Sequence, residues 1–218
     1  MQYLFQSYNY DLSDPGSIPN LFIQSLVLVG ITMFISIIIA LPIGILVARY
    51  RRLYLPIITV SGLLYTIPSI AAFALLLPIT GLTPTTAIIP LILYNMLVLI
   101  RNTAAAVNGI DPLLIEVGRA MGMKRYQTLF RVTLPLALPV IVAGIRIATV
   151  TTIGISALAA LVGQGGLGDL IFKNIVTGDY NAVVAGAILI AFFAIVADLL
   201  LLALQTALNR GRGALSIA

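Results

Sequence analysis

Two stretches of this chain, Pro15 to Ala48 and Leu53 to Ile100, contain no Asp, Glu, Lys or Arg. A helix needs only about 20 apolar residues to cross a bilayer, so the first run accommodates one span and the second accommodates two. Surface helices of soluble proteins carry a charged face toward water, and these runs have none. Composition agrees, with 61% hydrophobic and 9% charged residues, against roughly 25% charged in soluble domains. The chain is read as an all-α, polytopic integral membrane protein forming a single transmembrane domain over residues 1–218.

Pro78, Gly81 and Pro84 punctuate the second run into a hairpin, because consecutive breakers favour a turn. Five spans follow: Leu21 to Val47, Leu55 to Leu77, Thr86 to Leu99, Leu134 to Leu161 and Ala182 to Leu208. The third is short, and an extension past Arg101 toward Val107 would place that arginine near the membrane surface. Pro42, Pro56, Pro68, Pro90 and Pro139 lie within or at the ends of spans and are read as kinks. Basic residues orient the chain: with the N-terminus outside and the C-terminus cytoplasmic, Arg49, Arg51, Arg52, Arg101, Arg119, Lys124, Arg125, Arg131, Arg210 and Arg212 lie inside and only Lys173 outside. The N-terminus has no basic n-region and its apolar run exceeds a signal peptide, so it is expected to stay in the mature chain.

One polar, basic stretch, Glu116 to Pro135, interrupts this pattern and reads EVGRAMGMKRYQTLFRVTLP. Asp111 and Pro112 open a helix as an N-cap acceptor and an N1 proline. Gly122 closes it by taking the left-handed conformation, and a second helix is expected from Lys124 to Val132. Leu113, Val117, Ala120 and Met121 form an apolar stripe, with Glu116 and Arg119 on another face. A helix this short needs a docking surface, either its own membrane helices or the groove of a separate protein. The sequence has no His and no Cys, which removes thiol catalysis, histidine general bases and the usual zinc ligands. No Gly-rich loop followed by Lys and Ser or Thr is present, so any nucleotide-driven work falls to another polypeptide.

The spacing of Glu116, Gly122, Val132, Leu134 and Pro135 resembles the EAA motif of MetI-like permease subunits of ATP-binding cassette importers. Val117 and Gly118 stand where that family has its two alanines, and glycine weakens a helix interior by about 0.8–1 kcal/mol relative to alanine. The resemblance, from roughly Gly44 to Ala207, implies a five-helix permease core with a cytoplasmic coupling-helix loop at residues 111–133. It implies contact with the ATPase through Leu113, Glu116, Val117, Gly118, Arg119, Ala120, Met121, Gly122, Lys124 and Arg125. It also implies two ATPase subunits that bind the ATP and Mg, a second permease subunit, an external solute-binding protein and a place in the bacterial or archaeal cytoplasmic membrane. This chain itself is expected to hold no cofactor or metal, to be no enzyme and to contact lipid but no nucleic acid. It ends at Ala218, and the solute-binding domain that some relatives carry fused is expected as a separate protein.

Tyr65-Thr66-Ile67-Pro68-Ser69, Arg101-Asn102-Thr103, Ala143-Gly144-Ile145-Arg146 and Gly163-Gln164-Gly165-Gly166-Leu167-Gly168 resemble the osmoprotectant branch, which imports glycine betaine, carnitine or choline. Methionine, phosphonate and taurine importers share related versions of the last element. A permease for another small solute, and a non-transporting scaffold that recruits a cytoplasmic partner, are the other readings. Within the spans, Tyr65, Pro68 and Tyr94 are candidates for the translocation path, aromatic faces being able to bind quaternary ammonium groups; ordinary packing is the alternative. Gly165 and Gly166 are read either as part of an outer gate or as a tight turn. Arg146 and Asp198 fall at similar depth in the fourth and fifth spans, as a structural ion pair or as part of the path.

Overall fold

The computed structural model describes residues 7–213, so both termini, and with them the expected side of each, fall outside the described residues. Regular structure among those residues is entirely helical: α1 (Ile18–Arg49), α2 (Arg51–Thr66), α3 (Ser69–Thr80), α4 (Pro84–Asn108), α5 (Pro112–Ala120), α6 (Arg125–Thr128), α7 (Leu134–Ser156), α8 (Gly168–Thr177) and α9 (Tyr180–Gly213). A π turn (Leu129–Thr133) joins α6 to α7, and a 3-10 turn (Ala157–Val162) extends α7. Among the described residues four helical segments are long and apolar enough to cross a membrane, and α2 with α3 makes a fifth if that bent pair is one span.

α4 is the most enclosed of the spans and α9 the least. α4 packs between α1 and α7, and the main core joins Met33, Ala40 and Val47 of α1 to Leu99, Ile100 and Ala104 of α4 and Ala148 and Ile153 of α7. Small residues set the spacing: a Cβ on Gly144 would lie 2.6 Å from the Asn102 Cβ. Gly144, Ala148, Thr152 and Ser156 of α7 and Ala159 of the 3-10 turn are all buried and pack within the chain.

A polar network crosses the middle of this core. The Asn95 side-chain amide donates to Ser36 Oγ at 3.2 Å and accepts from Thr152 Oγ1 at 3.0 Å, tying α4 to α1 and α7. Interhelical hydrogen bonds of this kind contribute about 0.6 kcal/mol on average and about 1.7 at most. Asn95→Ala is therefore expected to lower unfolding stability by about 1–2 kcal/mol, a range that includes the lost packing. Thermal unfolding of the detergent-purified protein measures this, and an unchanged midpoint would show the network to be dispensable.

Two elements depart from the sequence expectation. The span expected from Leu55 to Leu77 breaks at Ile67 and Pro68, where α2 and α3 meet at 90°. Proline disfavours the helical conformation in the residue before it, and Ile67 is extended, with φ −65° and ψ 125°. Pro42, Pro56, Pro78, Pro90 and Pro139 stay inside helices. The second difference concerns Lys124 to Val132, which is no separate helix: α6, the π turn and α7 follow one another without a break. The third span runs on through Arg101 to Asn108.

Candidate functional site

α5 projects from the end of the bundle where α1 and α4 finish and α7 begins. Its start is fixed by Asp111, whose Oδ1 accepts the Leu113 amide at 2.9 Å, and by Pro112 at N1. At its far end Gly122 takes φ +80°. Its amide donates to the Arg119 carbonyl at 2.9 Å and the Met123 amide to the Gly118 carbonyl at 3.1 Å, the paired bonds of a Schellman cap. The chain then turns into α6, where the Lys124 amide donates to Gln127 Oε1 at 2.8 Å.

The two faces of α5 differ sharply. Gly118 is buried and Ile115 half-buried against the following segment. On the outer face Leu113, Val117 and Met121 are 62%, 49% and 72% exposed, a strip of large apolar side chains that no described residue covers. Ala120, Glu116 and Lys124 are also exposed, and the Glu116 carboxylate has no hydrogen bond or ion pair among the described residues. Arg119 and Arg125 instead line a cavity of about 470 Å³ between α5 and the end of α1, together with Arg49.

A Cβ added to Gly118 would sit 3.5 Å from Met123 Sδ and 3.7 Å from methyl groups of Thr128 and Val132, ordinary contact distances. Gly118→Ala is therefore expected to fit without rearrangement and to stabilise α5 by about 0.8–1 kcal/mol, the helix-propensity difference. Slower amide hydrogen exchange in Pro112–Ala120 would register this, and faster exchange would overturn it.

The other candidate residues form three separate groups. Tyr65 and Tyr94 meet edge to face at 5.8 Å and 80°, beside the α2–α3 break. Tyr94 is buried, and its hydroxyl donates to the Ile67 carbonyl at 2.9 Å, satisfying a backbone group that the break set free. Pro68 is exposed at the N-cap of α3. Gly165 and Gly166, with φ of +66° and +81°, rest on α1. There Gln24 Oε1 accepts the Gly166 amide at 2.9 Å, and Ser25 Oγ accepts the Leu167 amide at 2.8 Å. At this end of the bundle the backbone amide and then the hydroxyl of Ser13 hold the exposed Asp11 carboxyl below its ordinary range.

Arg146 of α7 and Asp198 of α9 form a two-pronged ion pair, Nε to Oδ1 at 2.9 Å and Nη2 to Oδ2 at 2.8 Å. The fork geometry fits guanidinium to carboxylate. Gln205 accepts the remaining prong, Nη1 to Oε1, at 2.8 Å. Sequence reasoning missed Gln205, although it lies seven positions after Asp198 and so on the same helix face. It also missed the part played by Ser36 and Asn95, each a lone polar side chain in an apolar run. In the sequence Arg49 marks topology alone, since a cavity shared with Arg119 and Arg125 has no expression in local sequence.

Residues 40–213 match the family model described as binding-protein-dependent transport system inner membrane component. The osmoprotectant import permease protein OsmW of Salmonella typhimurium is 41% identical over 206 residues, covering 92% of this chain and 96% of that protein. The glycine betaine/carnitine/choline transport system permease protein OpuCD of Bacillus subtilis is 40% identical over 210 residues, covering 96% of this chain and 92% of its own length. Among solved structures, a chain of the MetNI methionine ABC transporter in an inward-facing conformation superposes with a TM-score of 0.76 at 26% identity, covering 85% of this chain and 93% of that one. The chain therefore belongs to the inner membrane components of binding-protein-dependent transport systems, as a permease subunit of an ATP-binding cassette importer.

Proposed function

We propose that this permease admits a quaternary ammonium osmoprotectant, such as glycine betaine, choline or carnitine, to the cytoplasm. A separate ATPase, present in two copies and carrying the ATP and Mg, drives it by docking on α5. The observation that carries the ATPase reading is the unpartnered Leu113, Val117 and Met121 strip beside the unpartnered Glu116. A short amphipathic helix laid into a groove is read through anchors at this spacing. Support for the solute class comes from the names of relatives at 40% identity and above. A second permease subunit would complete the path across the membrane, and an external protein would deliver the solute.

In this reading the α5 end of the bundle faces the cytoplasm, and Lys173 and the Gly163–Gly168 segment face outward. Closure of the ATPases would push α5. The movement would pass through the continuous α6, π turn and α7 segment into the bilayer, with Pro135 and Pro139 near its start.

Reconstitution tests the proposal. The permease, its ATPase and the external protein in liposomes are expected to show ATP-dependent uptake of labelled glycine betaine or choline, with methionine giving none. Methionine uptake in place of both would replace the solute class. Orientation has its own measurement, because the chain has no native Cys. Lys173→Cys is expected to react with an impermeant maleimide from outside intact cells and Arg51→Cys only after lysis; the reverse pattern overturns the assignment.

A further inference from the structure

The cavity behind α5 belongs to neither the docking strip nor the ion pair in the spans. Three arginines from three elements line it: Arg49 at the end of α1, Arg119 on α5 and Arg125 at the start of α6. No Asp or Glu among the described residues lines it. The ion pairs of the described residues lie elsewhere, at Arg146–Asp198 and Lys173–Asp169, so none of the three guanidinium groups has a carboxylate partner among those residues. All three are exposed, so water screens their mutual repulsion, and an anion between them would relieve what remains. The rest of the lining is largely apolar, with Ile45, Val107 and Leu129 among its members.

We propose that this cavity binds the phosphate of an anionic phospholipid from the adjacent leaflet and so clamps α5 and α6 to the end of α1. Guanidinium groups suit phosphate oxygens because their planar donors bind in pairs. Basic pockets between membrane helices on the cytoplasmic side are a known way to hold lipid headgroups. Volume and lining favour a lipid over a free oxyanion: about 470 Å³ is many times the roughly 30 Å³ that one water occupies in the liquid, and the apolar side chains suit a glycerol backbone and the first methylenes. Position agrees, because the cavity lies where α1 ends, with Leu46 exposed one turn before Arg49. The choice of leaflet rests on the orientation proposed above, whereas binding can be measured without it.

The full chain, purified in detergent, is titrated with phosphatidylglycerol, phosphatidylcholine or inorganic phosphate and bound species are counted by native mass spectrometry. Wild type is expected to retain phosphatidylglycerol and to release phosphatidylcholine. Each of R49Q, R119Q and R125Q is expected to weaken retention about 5-fold and the triple variant about 100-fold, from the usual contribution of one basic side chain near an anionic surface. R51Q/R52Q removes two neighbouring charges that do not line the cavity, and is expected to lose less than any single lining variant. Should the triple variant fail to fold, the monodisperse single variants decide. Singles that retain phosphatidylglycerol like wild type, or phosphatidylcholine retained equally well, overturn the proposal. Displacement of lipid by equimolar inorganic phosphate overturns the lipid and leaves an oxyanion site. None of these outcomes depends on the ATPase, so docking on α5 can stand or fall separately.

Discussion

Leu113→Asp combined with Val117→Asp is expected to abolish capture of the ATPase and ATP-driven uptake while the permease itself still inserts and folds. Both side chains are exposed and touch no core cluster, and surface substitutions of this kind usually change stability by no more than about 0.5 kcal/mol. Leu113 also lies in the first turn of α5, where a negative charge is favoured by the helix dipole. Docking is another matter. An apolar anchor at the centre of an interface is commonly worth about 2 kcal/mol, so two burdened with carboxylates weaken binding by well over about 30-fold. Glu116→Gln is the companion variant: its carboxylate has no partner within the chain among the described residues, so any effect reports on another protein. Co-purification of the ATPase with normal yield by the double variant would remove α5 from the docking role.

Gly168→Ala is expected to destabilise the permease without any partner being involved. A Cβ at that position would lie 1.9 Å from the Ala157 carbonyl oxygen and 2.9 Å from its Cα. These are backbone atoms of the 3-10 turn that ends α7, and they cannot swing aside as a long side chain can. Overpacking generally costs about 1–3 kcal/mol, and a rigid obstacle puts this site at the upper end. The loss would show as a lower midpoint in detergent and poorer yield. Gly154→Ala is the control: nothing lies within 4 Å of its added Cβ. Equal behaviour of the two variants would mean that α8 and the 3-10 turn do not meet as described.

Much of this was legible because the strongest sequence signals are local. Charge-free runs announce spans through the energetics of the bilayer, and Asp111, Pro112 and Gly122 announce the ends of α5 through backbone chemistry within a few residues. Arg146 and Asp198 were legible as a pair since each is a lone charge within the apolar part of its helix, and the structure brings them together. The α2–α3 break was not, although Pro68 marks it. Hydropathy counts polarity and carries no direction, so the same residues read equally as one straight span or two at right angles. The π turn at Leu129–Thr133 left no trace either, because neither composition nor periodicity over five residues separates it from an α turn. Long-range contacts were the other loss. The seat of Gly166 and Leu167 on Gln24 and Ser25 joins residues 142 apart, and the arginine cavity draws on three elements.

The ion pair between α7 and α9 also sets an order for making the protein. Asp198 follows Arg146 by 52 residues, and at 5–20 residues per second the ribosome takes about 3–10 s to supply it. During that interval the guanidinium of α7 has no carboxylate to meet, and Gln205 comes later still, 59 residues behind it. Until then α7 carries an unpaired charge, which costs about 2.5–3.5 kcal/mol at a helix centre. α9 is therefore the helix that neutralises the charge of α7, and a polypeptide cut short before Asp198 would lack the carboxylate that pairs with Arg146.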